Sequence, residues 1–375
     1  MSKSVWRYIE EHDVSAAYGL ASDEKIVNDH VGPHHEYAAT LKLYTYRNYC
    51  ALSGRFQDLS AEIDLDACKL HGFDIGRRLT GGGAIIMGEN QLGICLATHS
   101  QTYKWEHIRE LYHQFSEPIL EALQDFDIHA QFRSKNDLEV AGKKIAGLGI
   151  YVSPEGGIQF HTSLLLDLDV AAMLQVLKLP VQKFSDKKMV HSIEQRMTTV
   201  RREANASIAL EQLKQVVLKK YQRLFDIEVS KSSFSPTEKL EIEKIADDRY
   251  RSDEWLYQLS PQQDMDGMSL KKTAAGMLRT YIALKGENIK SVLITGDFME
   301  MPIAFSKIES RLKWSPLDFR KIENVVIEEL AQQGGYAIKA KELTGAIWLA
   351  AQRAFAANKY TYKGSCYYPK VTKDA

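Results

Sequence analysis

Two stretches of the chain carry residue types suited to chemistry on phosphates or carboxylates. The first, residues 77–96, reads RRLTGGGAIIMGENQLGICL. Arg77 and Arg78 set two permanent cations just ahead of Gly81, Gly82 and Gly83. Without Cβ atoms, three glycines in a row allow positive φ and close approach of a ligand to the main chain. Ala84, Ile85, Ile86 and Met87 follow as an apolar run of buried-strand length. A glycine turn beside arginines and a strand edge suits a molecule with an anionic phosphate and a flat or greasy part. The same residues also fit a tight turn between core strands, with the arginines paired to surface carboxylates.

The second stretch, residues 136–147, reads NDLEVAGKKIAG. It reads as a hairpin: strand DLEVA, turn GKK and strand IAGLGIYV, continued by a third strand at IQFHTSLLLDLD. One of Lys143 and Lys144 should point toward the sheet face, and a lysine there stabilises charge developing on a phosphate or carboxylate oxygen. An ordinary turn lysine is the alternative. Asp137 is placed to hold magnesium together with substrate phosphates, or is a turn aspartate. His161 lies on an apolar strand, as either a satisfied core histidine or a catalytic one.

The elements that must position these groups follow from periodicity. Ala16, Ala17, Leu20, Ala21 and Ile26 mark an opening helix, and residues 40–54 are strand material interrupted by Arg47 and Asn48. That Arg-Asn pair either faces a ligand from a strand end or forms an exposed turn. Helices are expected over residues 64–71, 106–126 and 208–225, with Pro118 kinking or dividing the second. The polar SKSSFSP, residues 230–236, reads as a linker and hinge. Beyond it, KSVLITGDFM reads as a strand, and LDFRKIENVVIEELAQQ and GAIWLAAQRAFAANKY as helices. The expected division is therefore residues 1–229, 238–332 and a helix and tail over 333–375.

Composition narrows the classes. The chain has 375 residues, 45% hydrophobic and 26% charged, with a formal net charge of -1. That balance fits a soluble globular protein and gives no electrostatic case for nucleic acid or an anionic membrane. The four cysteines, Cys50, Cys68, Cys95 and Cys366, show no CxxC spacing. Glu10, Glu11 and Asp13 occupy a region where a secretory signal would be basic, then apolar, so cytoplasm is the expected location.

The segments YTYRNYCALSGRFQD, RRLTGGGAII, NDLEVAGKKIAGLGIYV, FHTSLLLDLD and KKMVHSIEQRMTTV occur in that order. Together they resemble the lipoate-protein ligases of the biotin/lipoate ligase and octanoyltransferase superfamily, over about residues 16–202. The resemblance implies an α/β fold of the α+β type. A large catalytic domain is built around a mostly antiparallel mixed sheet, and a smaller α/β accessory domain lies C-terminal to it. RSDEWLYQLSP is similar to the stretch that opens that accessory domain. The implied substrates are ATP, with magnesium, and lipoate, and the implied partner is an apo lipoyl-domain protein. Lys144 would lie against both carboxylate and phosphate. Arg77, Arg78, Gly81, Gly82, Gly83, Ala84, Ile85, Ile86, Asn136, Gly147 and His161 would bind the lipoyl-adenylate, and Asp137 the metal. Ser192 and Arg196 fall where the family has a loop closing over the adenylate.

Two departures stand out. Met87 and Gly88 replace a His-Asp pair common in the family, and Thr162 follows His161 where glycine is usual. The superfamily alternative is an octanoyl or lipoyl transferase fed by an acylated carrier protein through a cysteine thioester. AQFRSKNDL, ahead of the hairpin, holds no cysteine for that route. The GRGRxGR loop of biotin ligases is absent. A third reading is a binding protein that keeps the fold without catalysis.

Overall fold

The computed structural model describes residues 3–31, 36–133, 136–178, 194–205, 207–332 and 337–359. The chain divides into two compact units, Met1–Arg55 with Leu59–Gln258, and Phe56–Asp58 with Leu259–Ala375.

The strands of the first unit, in chain order, are β1 (Ser4–Val14), β2 (Ala39–Tyr46), β3 (Cys50–Ser53), β4 (Asp74–Arg77), β5 (Ile85–Met87), β6 (Gln91–His99), β7 (Gln131–Arg133), β8 (Asp137–Val140), β9 (Lys143–Val152), β10 (Gly157–Leu165) and β11 (Ile227–Ser232). Eight of them form one sheet in the order β11-β1-β2-β6-β10-β9-β8-β7, and the small sheet β4-β3-β5 stands apart. Among the described residues the β11–β1 and β1–β2 pairs of the large sheet are parallel and its other pairs antiparallel. The α/β fold with a mostly antiparallel mixed sheet and a smaller C-terminal α/β unit is therefore the observed architecture.

Every residue of β2 and β6 is buried, as expected for central strands covered on both faces. The helix Ala16–Asn28, capped by Ser15, covers one face. Its Leu20, Ala21 and Ile26 share a core with Tyr44, Tyr46, Cys95 and Ala97. The helix Ile108–Gln124 runs unbroken through Pro118. Tyr221, in the helix Leu210–Leu224, donates its hydroxyl to the Phe115 carbonyl at 2.8 Å.

Several local expectations are corrected. Residues 40–54 form two strands in different sheets, and Arg47 and Asn48 are the exposed corner between them. The hairpin turn is Ala141–Gly142, with φ of 48° and 81°. Paired positive φ values match the twist of a two-residue hairpin, so both lysines open β9 instead of forming the turn. The SKSSFSP stretch is no linker. Ser230 and Ser232 pair with Arg7 and Ile9 in parallel register, and Ser235 and Glu238 form a reciprocal capping box on the helix Pro236–Ile245. Polar residues here mark an outer strand and a helix start. A π-helical turn, Ala246–Tyr250, and the short helix Asp253–Leu256 follow, so the first unit reaches Gln258 rather than residue 229.

In the second unit β12 (Gly267–Lys272), β13 (Met277–Lys285), β14 (Asn288–Gly296) and β15 (Ser315–Pro316) form an antiparallel sheet in that order. The helices Ile303–Leu312, Phe319–Ala331 and Ala340–Lys359 supply Phe305, Ile308, Ile322, Val326, Ile347 and Ala350 to its core. The last helix is thus part of this unit and not a separate segment after residue 333. Among the described residues no helix is long and apolar enough to cross a membrane.

Candidate active site

A cleft enclosing about 560 Å³ of empty space, mouth included, opens in the first unit. Its walls come from the two chemistry-bearing stretches. The glycine turn contributes Arg78, Gly81, Gly82 and Gly83, and the hairpin contributes Asn136, Lys144, Gly147 and Leu148. Strand β10 adds His161, Thr162 and Ser163, and Leu20, Tyr44, Tyr46, Leu52, Ile85 and Met87 line an apolar portion. Tyr44 and Tyr46 stand two residues apart on β2 and so face the same side; their rings meet edge to face at 5.4 Å.

Arg78 sets the electrostatics. It is 4% exposed and donates to the carbonyls of Leu52 (2.6 Å), Gly83 (2.8 Å) and Gly81 (3.4 Å). Its Nε has no hydrogen-bond partner, and no carboxylate among the described residues pairs with it. Burial lowers its pKa to about 10, so the guanidinium stays charged at neutral pH. A buried cation balanced only by carbonyl dipoles favours an anionic ligand. Gly82, at φ 94°, gives the turn a backbone conformation that side chains disfavour.

Lys144 lies on the hairpin wall, with Nζ 2.7 Å from Asp137 Oδ1 and both side chains about 30% exposed. Its aliphatic stem crosses Gly147, where an added Cβ would fall 2.9 Å from Nζ. Its main chain is clasped on the other side: Lys144 N–H donates to the Arg196 carbonyl at 2.8 Å, and Thr198 N–H to the Lys144 carbonyl at 2.9 Å. Asn136 and Leu148 exchange two bonds of 2.8 Å that close the end of the hairpin. His161 Nε2 sits 3.0 Å from Thr80 Oγ1. Burial, reinforced by Arg78, drives the imidazole pKa down to about 3. The ring keeps a little exposed surface toward the cleft, yet its protein surroundings hold it neutral.

The sequence-derived residues therefore separate. Arg78, Gly81, Gly82, Gly83, Ile85, Asn136, Lys144, Gly147 and His161 meet in one cleft. Ala84 and Ile86 flank it without lining it, and Arg196 reaches Lys144 through its carbonyl. Arg77 is a correction. Its fully buried guanidinium is turned away from the cleft, to the carbonyls of Gly54, Arg55 and Leu256. Neighbouring residues on an extended backbone point to opposite sides, so only one of the two arginines can face the ligand. Ser192 lies outside the described residues. Tyr44, Tyr46, Leu148 and Thr80 were not singled out by sequence, although the Tyr-x-Tyr alternation on β2 was a usable signal.

A family model, the lipoyl protein ligase A/B catalytic domain, matches residues 15–222, more than half of the chain. The chain belongs to that family. Within it, the chain is similar to the octanoyltransferase LipM of Geobacillus kaustophilus, at 25% identity over 280 residues covering 68% of this chain and 99% of LipM. It is equally similar to lipoate–protein ligase 1 of Staphylococcus aureus, at 25% identity over 276 residues, 73% of this chain and 80% of the ligase. Among solved structures, that of P. falciparum LipL1 in complex with lipoate superposes with a TM-score of 0.70. It covers 92% of this chain and 99% of LipL1 at 16% identity, a likeness of fold alone. Family members thus include both ligases and octanoyltransferases, and the matched region contains the whole cleft.

Proposed function

We propose that this chain is an ATP-dependent lipoate–protein ligase that first makes lipoyl-AMP and then transfers the lipoyl group to a lysine of an apo lipoyl-domain protein. In the first step a carboxylate oxygen of lipoate attacks the α-phosphorus of ATP, and the bond to the β-phosphate oxygen breaks to release pyrophosphate. In the second, the acceptor lysine amine attacks the acyl carbon, AMP leaves, and the amine loses a proton.

The observation that carries this reading is the charge at Arg78. A buried guanidinium without a carboxylate partner supports an anionic group held at the glycine turn. Lys144 is the second fixed cation, free to exchange Asp137 for substrate oxygens. Fixed cations beside the reacting oxygens stabilise their charge without any nucleophilic side chain. The apolar portion, with Leu52, Ile85 and Met87, suits the acyl chain. Magnesium, which neutralises phosphate charge when bound, would be held by Asp137 and the nucleotide's own phosphate oxygens; one accessible carboxylate beside the cleft fits that arrangement.

Acyl transfer through a cysteine thioester is the second reading, favoured by the LipM likeness. Against it, no cysteine lines the cleft among the described residues. Burial raises the thiols of Cys50 and Cys95 well above the ordinary range and that of Cys68 to about 11, which disfavours the thiolate. The test is to offer an apo lipoyl domain either lipoate with ATP and magnesium, or an octanoylated carrier protein alone, and to read the acceptor mass. Modification only in the first mixture supports the ligase. Modification by the carrier without ATP overturns it.

A further inference from the structure

We infer that Trp255 is a positioning residue that, through Arg77, fixes the backbone of the glycine turn. Trp255 Nε1–H donates to the Arg77 carbonyl at 3.0 Å, while Arg77 donates from Nε (3.0 Å) and Nη2 (2.5 Å) to the Leu256 carbonyl. The bonds run in both directions between the start of the turn and the last helix of the first unit. The remaining Arg77 nitrogen, Nη1, donates to the carbonyls of Gly54 (3.2 Å) and Arg55 (3.0 Å). That second segment is itself tied to the turn, because Arg55 N–H donates to the Thr80 carbonyl at 2.9 Å and Arg78 N–H to the Ser53 carbonyl at 3.0 Å.

The indole is fixed from its other sides. The Arg249 guanidinium lies over the ring at 5.2 Å and that of Arg55 at 5.9 Å, and Tyr250 meets it edge-on at 6.2 Å. Arg249 and Tyr250 both engage Glu24 on the first helix, at 2.7 and 2.8 Å. Both belong to the π-helical turn Ala246–Tyr250, a local widening that is frequent at functional sites. Arg78 follows Arg77 directly and holds the Gly81 and Gly83 carbonyls. Displacing the Arg77 carbonyl therefore shifts both the cleft's cation and its glycine backbone.

The consequence for ligand rests on the adenylate reading above; the clasp itself does not. The test uses the full chain with Trp255→Phe, which removes the N–H donor and keeps an aromatic ring, though a smaller one, for the two arginines. Hydrogen exchange read by mass spectrometry should show the Arg55 and Arg78 amides opening about tenfold faster, with β1 and β11 unchanged. Affinity for a non-hydrolysable lipoyl-adenylate analogue should fall about tenfold while affinity for lipoate alone stays within about twofold. Arg77→Lys, which keeps the charge but not the forked geometry, should give the same pattern if Trp255→Phe folds poorly. Exchange at Arg55 and Arg78 that is unchanged, or raised equally throughout the unit, overturns the clasp. Localised exchange in the variant together with a wild-type chain that binds no analogue would leave the clasp standing and remove the adenylate reading instead.

Discussion

Lys144 Nζ lies 2.7 Å from Asp137 Oδ1, across a hairpin whose partner at the next level, opposite Asp137, is Gly147. The carboxylate aims the ammonium along the cleft wall, and the side-chain-free Gly147 leaves room for it. Partial exposure keeps the pair weak enough to be replaced by a better anion. The lysine is thus not buried in a permanent ion pair, as the proposed role in the cleft requires.

Lys144→Ala is expected to slow adenylate formation at least about a hundredfold, roughly 2.7 kcal/mol of transition-state stabilisation, the scale for losing one fixed electrostatic group. Folding should change little. Lys143→Ala should have far less effect, because adjacent strand residues face opposite ways. Single-turnover kinetics with both variants checks this, and equal, small effects would remove Lys144 from the chemistry.

Arg78→Ala should weaken binding of a lipoyl-adenylate analogue in calorimetric titration. It should also cost roughly 2 kcal/mol or more of stability, because three carbonyls lose a charged donor in a buried place. Titrations therefore need to be compared at equal folded fraction. Unchanged affinity at full folding would make Arg78 a structural residue like Arg77.

His161, held near a pKa of about 3, stays neutral across the physiological range. The pH profile of the transfer step should therefore rise with deprotonation of the attacking amine and show no inflection near the ordinary histidine value. An inflection there that disappears in His161→Gln would show the imidazole taking up the proton.

In the second unit, burial raises the Glu309 carboxyl to about 7 from its ordinary 4.5, while Glu309 Oε1 accepts the Ile294 N–H at 2.7 Å. Between those values the folded chain keeps a proton that the unfolded chain has released. Its contribution is thus fully present below pH 4.5 and is lost as pH rises through 7, by roughly 3 kcal/mol. Glu309→Gln, which cannot ionise, should raise the unfolding midpoint at pH 8 and scarcely alter it at pH 4.5. Equal shifts at both values would contradict the assignment.

What sequence made legible follows from how local each signal was. The helix over residues 64–71, the apolar spacing of the Ile108–Gln124 helix and the pairing of two strands in a hairpin are short-range patterns and appear nearly where read, although the hairpin turn lies one to two residues earlier than GKK. Choosing between Arg77 and Arg78 required knowing which side of β4 faces the cleft, a long-range fact. The Ser230–Pro236 error came from equating polarity with a linker. An outer strand is polar on its exposed side, and Ser235-Pro236-Thr237-Glu238 spells a capping box with proline at the first helical position. Trp255 reads in sequence only as part of a motif, because its partner Arg77 is 178 residues away.

The most direct measurement is mass spectrometry of the full chain incubated with lipoate, ATP and magnesium in the absence of any acceptor. A ligase of this kind accumulates bound lipoyl-AMP and releases pyrophosphate in equal amount, and neither product forms when ATP or lipoate is left out. A chain that binds lipoate yet forms no adenylate, while accepting an acyl group from an acylated carrier protein onto one of its own cysteines, would contradict the central claim.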